Sequence, residues 1–137
     1  MPKVFFFIGF LTAVTYSIPG TADIMDDLKN SQEMSKLLLE DKLEEAAEIF
    51  SYIEDQNMKE ISAVALQGQF LMRGYLTRGE SFLEYILNED IRQISYQSLA
   101  TQSILQNKDC TKAKLYIDLL LDPQIQELMK MSYEMAC

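Results

Sequence analysis

Between Ile61 and Leu76 the chain reads ISAVALQGQFLMRGYL. Apolar residues fall on nearly every side of a helix drawn through it. A helix with one wet face keeps a polar stripe, so this pattern predicts a central helix, about Met58 to Leu76, buried on several sides. The flanking segments are amphipathic. Over Asp23–Glu40 the apolar positions are Leu28, Met34, Leu37, Leu38 and Leu39. Over Lys42–Glu54 they are Leu43, Ala46, Ala47, Phe50 and Ile53, at helical spacing. A fourth helix carries Phe82, Leu83, Tyr85, Ile86 and Leu87. A fifth, Ile91–Gln106, carries Ile94, Leu99, Ala100, Ile104 and Leu105. A sixth, Cys110–Leu121, is expected to bury Ala113, Ile117, Leu120 and Leu121, and a seventh runs Gln124–Cys137.

The punctuation agrees with this division. Asp41 with Glu44, and Thr77 with Glu80, read as capping boxes. Asp55-Gln56-Asn57, Asn88-Glu89-Asp90 and Asn107-Lys108-Asp109 read as breaks. Asp122-Pro123 reads as a stop and restart, because proline is tolerated in a first helical turn and not inside. No strand-like alternation of useful length occurs. The fold class is therefore all-α, about seven antiparallel helices, as an α-solenoid or a compact helical bundle.

Met1–Ala22 has the three parts of a secretory signal peptide: Lys3, the apolar run Val4–Val14, and the small-x-small exit Gly20-Thr21-Ala22. The run is short for the roughly 20 residues of a membrane span. The expected organisation is a signal peptide over 1–22 and one helical domain over 23–137. The expected location is periplasmic or secreted, with no stable membrane insertion after cleavage.

Ala46, Gly79 and Ala113 are small residues 33 and 34 positions apart. Four residues after each stands Phe50, Leu83 or Ile117, and seven after each stands Ile53, Ile86 or Leu120. Nine before each stands Leu37, Phe70 or Ile104. A small residue lets two helices approach while large ones fill the neighbouring grooves. This period and its helix–turn–helix unit resemble the tetratricopeptide repeat, over about Asp26 to Gln126. The chain departs from that pattern at several places. It has no tryptophan. Met34, Gln67 and Thr101 stand at the small first-helix position, and Ile53, Ile86 and Leu120 at the later alanine position. The resemblance implies three degenerate helical-hairpin repeats, a C-terminal capping helix and a peptide- or protein-binding scaffold.

Cys110 opens the sixth helix and Cys137 ends the seventh, with the turn at Asp122-Pro123. At ~1.5 Å per residue the two arms are similar in length, roughly 18 and 21 Å, so an antiparallel hairpin brings the cysteines to one end. A Cys110–Cys137 disulfide is expected, in keeping with export to an oxidising compartment.

The charge then narrows the partners. A formal net charge of −9 argues against nucleic acid and anionic lipid. The absence of histidine removes the usual nucleophilic triads and most zinc sites. Glu44, Glu45, Glu48, Glu89 and Asp90 read as solvated surface, and Met129, Met131 and Met135 as core filling. No catalytic residue, metal site or cofactor is expected. In a repeat solenoid Ile61, Val64, Gly68, Leu71 and Met72 line a groove suited to an amphipathic helix or extended peptide. In a closed bundle other helices cover them. The functional expectation is an exported, non-enzymatic adaptor or assembly factor of the bacterial envelope, binding another envelope protein or peptide; the alternative is a small periplasmic stress chaperone.

Overall fold

A computed structural model describes residues 19–137. The expected signal segment lies, up to residue 18, outside the described residues. The elements are α1 (Pro19–Leu39), α2 (Leu43–Phe50), α3 (Gln56–Met72), α4 (Leu76–Glu80), a 3₁₀ turn (Leu83–Tyr85), α5 (Glu89–Leu105), α6 (Cys110–Asp118) and α7 (Pro123–Ala136). Among the described residues there is no strand.

Helices pair as α1 with α2, α3 with α4 and α5 with α6. The longer first helices also touch in succession: α1 with α3, α3 with α5, and α5 with α7. The pairs turn at residues with positive φ: Asp41 (64°), Gly74 (82°) and Lys108 (52°). These stand 33 and 34 residues apart, the spacing of the small residues Ala46, Gly79 and Ala113. At the first two turns the end of the helix is closed in the same way. Asp41 N–H donates to Leu38 O and Lys42 N–H to Leu37 O; Gly74 N–H donates to Leu71 O and Tyr75 N–H to Phe70 O. This is the Schellman arrangement, in which a left-handed residue satisfies the last free carbonyls.

Two capping expectations are corrected by this. Asp41 closes α1 instead of opening α2, whose N-cap Lys42 makes no side-chain bond. Thr77 lies inside α4, whose N-cap is Tyr75. Three acid or amide residues read as helix breaks are the real N-caps of first helices. Asp55 accepts from Met58 N–H, Asn88 from Ile91 N–H, and Asp122 from Gln124 and Ile125 N–H.

The core has two lobes joined through α3. One holds Met34, Leu37, Leu43, Ala46, Phe50, Ala63, Leu66, Phe70, Phe82 and Ile86. The other holds Leu71, Leu76, Tyr96, Leu99, Ala100, Ile104, Ala113, Tyr116, Ile117 and Leu120. The fourth helix is shorter than its pattern suggests. Gly79 gives it little intrinsic helicity, yet the site demands glycine: a Cβ there would lie 2.5 Å from Leu71 Cδ2.

The expectation of a post buried on several sides fails for α3. Ala63, Leu66, Phe70 and Leu71 are buried, but Ile61 and Met72 are 68% and 66% exposed. Leu121, placed in the core by its spacing, is exposed because α6 stops at Asp118 and the chain straightens before it. Met129 packs on the second lobe, whereas Met131 and Met135 are exposed and fill no core.

Candidate functional site: the exposed face of the first helices

Of the five residues expected to share a groove, Ile61, Val64, Gly68 and Met72 reach the surface of α3. Leu71 does not; it is buried beneath Gly79. The open face extends beyond α3. Leu28, Ile61, Ile94 and Leu128 occupy matching positions on α1, α3, α5 and α7, and are 46, 68, 63 and 63% exposed. Eleven residues further along, Leu39, Met72 and Leu105 form a second exposed row. Between the rows the residues are small or uncharged: Gln32 and Ser35, Ala65 and Gly68, Ser98 and Thr101, then Ser132. A Cβ added at Gly68 meets nothing within 4 Å, so this floor is open.

Two depressions lie along the face. One of about 470 Å³ between α3 and α5 is lined by Gly68, Leu71, Met72, Ile94, Ser98 and Gln102, among others. A second of about 300 Å³ between α5 and α7 is lined by Asp90, Gln93, Ile94, Leu121 and Ile125, among others. Ile94 and Gln97 line both, so they form the ridge between them. Neither Ile61–Met72 nor Gln93–Asn107 contains a charged residue, in a chain carrying 33 of them. Side-chain N and O atoms buried without a hydrogen-bond partner come down to one among the described residues, Gln102 Oε1, and Gln102 lines the first depression.

The first helices are spaced by a device the sequence reading missed. Asp27, buried to 2% exposure, accepts from Glu54 and Asp55 N–H at 3.0 and 2.6 Å. Glu60 accepts from Leu87 and Asn88 N–H, both at 2.6 Å. Gln93 accepts from Leu121 N–H at 2.8 Å and donates to Leu119 O at 3.1 Å. Each clasp ties a first helix to the chain entering the next one. The three residues stand 33 apart, and this period was the signal available in the sequence.

Away from this face, exposed polar groups are largely satisfied by one another. Arg78 pairs with Glu44 at 2.6 Å and covers the Phe70 ring at 4.6 Å. Lys59 covers the Phe50 ring at 4.9 Å and donates to Ile53 O. Glu80 accepts from Lys112 Nζ and from the Tyr116 hydroxyl. Burial, then the hydrogen bond to Glu80 and its charge, push the Tyr116 hydroxyl well above its ordinary value of 10.0. Glu44, Glu45, Glu48, Glu89 and Asp90 are all exposed, as read. Among the described residues no three carboxylates or cysteines converge where a metal ion could sit. No helix among them is long and apolar enough to cross a membrane.

Cys110 and Cys137 are joined, with Cα atoms 6.0 Å apart. The bond holds α7, which among the described residues is the one α-helix without a buried residue. Compared with known protein families, curated protein sequences and solved structures, the chain matches none.

Proposed function

We propose that this chain is an exported, non-enzymatic adaptor or assembly factor of a bacterial envelope, serving a secretion or pilus apparatus, and that it holds a segment of a partner protein on the exposed face of its first helices. The reading rests on the two apolar rows, Leu28–Ile61–Ile94–Leu128 and Leu39–Met72–Leu105, standing open over an uncharged floor. Exposed apolar side chains repeated in rows across neighbouring helices are the kind of surface that marks an interaction site. Export is supported by the signal-like pattern of residues 1–22 and by the cystine, a bond that persists in oxidising compartments. The period of 33 and 34 residues supports the tetratricopeptide-like scaffold on which the reading draws.

A photo-cross-linking residue in place of Ile94, in cells, tests it. The control site is Leu115, an exposed leucine on α6 that lines neither depression. One dominant product at position 94, absent at 115, is the expected result. A smear of many products would favour a stress chaperone, and no product at all would sink the adaptor.

A further inference from the structure

The partner segment has a shape that the face itself specifies. Resting on the reading just given, we infer that the occupant is a single α-helix of a partner protein, roughly 16–20 residues long, apolar on the side it presents and basic along one flank.

The width comes first. On α1, α3 and α5 the members of the two rows stand 11 positions apart, as in Ile61 and Met72 or Ile94 and Leu105. At ~1.5 Å per residue the two rows stand roughly 16 Å apart, wide enough for a helix of about 10–12 Å diameter between them. The length follows from three steps between neighbouring helix axes, about 8–10 Å each, hence roughly 24–30 Å. The small floor residues, Ala65, Gly68 and Ser98, allow a helix backbone to come close.

The backbone requirement separates a helix from an extended strand. A strand laid here would have to pair its N–H and C=O groups with scattered side chains such as Gln32, Ser35 and Ser98, because a helical face presents no free backbone edge. Thr101 Oγ1 already donates to Gln97 O. A helix satisfies its own backbone, and its polar demand shrinks to a side-chain donor for the orphaned Gln102 Oε1.

Charge gives the flank. Glu89, Asp90 and Asp122 line the depression between α5 and α7 beside Ile94. An occupant with lysine or arginine along that edge meets complementary charge, while its apolar side meets none.

The terminal helix supports the same assignment. On α7 the position matching Ala63 and Tyr96 is Lys130, and the position matching Gln67 and Ala100 is Glu134, both charged and exposed. Its positions on the open face stay apolar and exposed: Leu128, Met131 and Met135. Packing within the chain does not require them.

The test uses the oxidised full-length protein and a labelled synthetic 20-residue peptide, alanine- and leucine-rich on one side with lysines along one flank. A twin peptide carries two central prolines. Fluorescence anisotropy should show the helical peptide binding at least tenfold tighter than its twin. The double variant Ile61→Gln, Ile94→Gln should weaken it at least tenfold, and Leu115→Gln should leave it unchanged. Equal binding of the twin would overturn the helical occupant, as would no binding of either peptide. Unchanged binding to the double variant would overturn the site. Sequencing the partner peptide cross-linked at position 94 separates the two levels: a captured segment that is proline-rich defeats the helix alone, while failure to capture any segment defeats the adaptor with it.

Discussion

Glycine serves opposite purposes at two positions of this chain. Gly79 sits against Leu71: a Cβ added there would lie 2.5 Å from Leu71 Cδ2. Gly79→Ala should destabilise by about 1–3 kcal/mol, the usual cost of overpacking a core. Gly68 has open space around it, so Gly68→Ala should stabilise by about 0.5–1 kcal/mol through helix propensity alone. Urea denaturation of the two variants reads both signs, and a stable Gly79→Ala would refute the contact. Tyr116 gives a pH signature. Its hydroxyl is held neutral in the fold, so its contribution is complete below the unfolded pKa, near 10, and is lost as pH rises beyond it. Wild-type stability should therefore fall more steeply above pH 10 than that of Tyr116→Phe. Parallel curves would show that the hydroxyl titrates alike in both states.

At the level of the element, amphipathic spacing located the helices within a few residues, except the fourth, whose expected apolar face Phe82–Leu87 lies beyond α4 in the 3₁₀ turn and the chain around it, and it overfilled the core. Leu121 was expected in the core and is exposed, and Leu28, Leu39, Ile94 and Leu105, which fall in apolar stripes, are exposed as well. Helical period identifies residues that share a face, and it is silent on whether a neighbour covers that face. The same ambiguity hid the clasps, because an acid in a helix reads as surface until the distant N–H groups it receives are known. Asp55 and Asn88 were legible as boundaries but not as caps, since one residue can end one helix and begin the next. Of the residues named from the 33- and 34-residue spacing, Gly68, Leu71 and Met72 line the depression between α3 and α5, with Leu71 almost wholly buried there, while Ile61 and Val64 are exposed on α3 outside that lining. The cystine was legible from arm lengths alone. Its importance lies in α7, which buries no residue and contributes Ile125, Met129 and Tyr133 as partly buried contacts. A helix of 14 residues is marginal by itself. Cys110→Ser with Cys137→Ser should cost about 2–4 kcal/mol and raise amide exchange selectively across α7. Uniform exchange changes in all helices would contradict that local role.

Across the whole molecule, burial and exposure separate into two sets that substitution can tell apart. Ile61→Gln and Ile94→Gln should each change stability by no more than about 0.5 kcal/mol, as exposed positions do. Phe70→Ala, at 1% exposure in the same helix as Ile61, should cost about 3–5 kcal/mol. Thermal melts of the three variants decide the matter; a large loss at Ile61 or Ile94 would mean that the face is covered in the native protein. The clasps also set the tempo of folding. Asp27, Glu60 and Gln93 reach 26 to 28 residues along the chain, and the cystine spans 27. Every one of these ties closes a loop of 26 to 28 residues, so none waits for distant chain to arrive. Chains dominated by such local closures collapse in microseconds to milliseconds. The two thiols can then meet as soon as the last hairpin has formed, whether or not the N-terminal half has found its place.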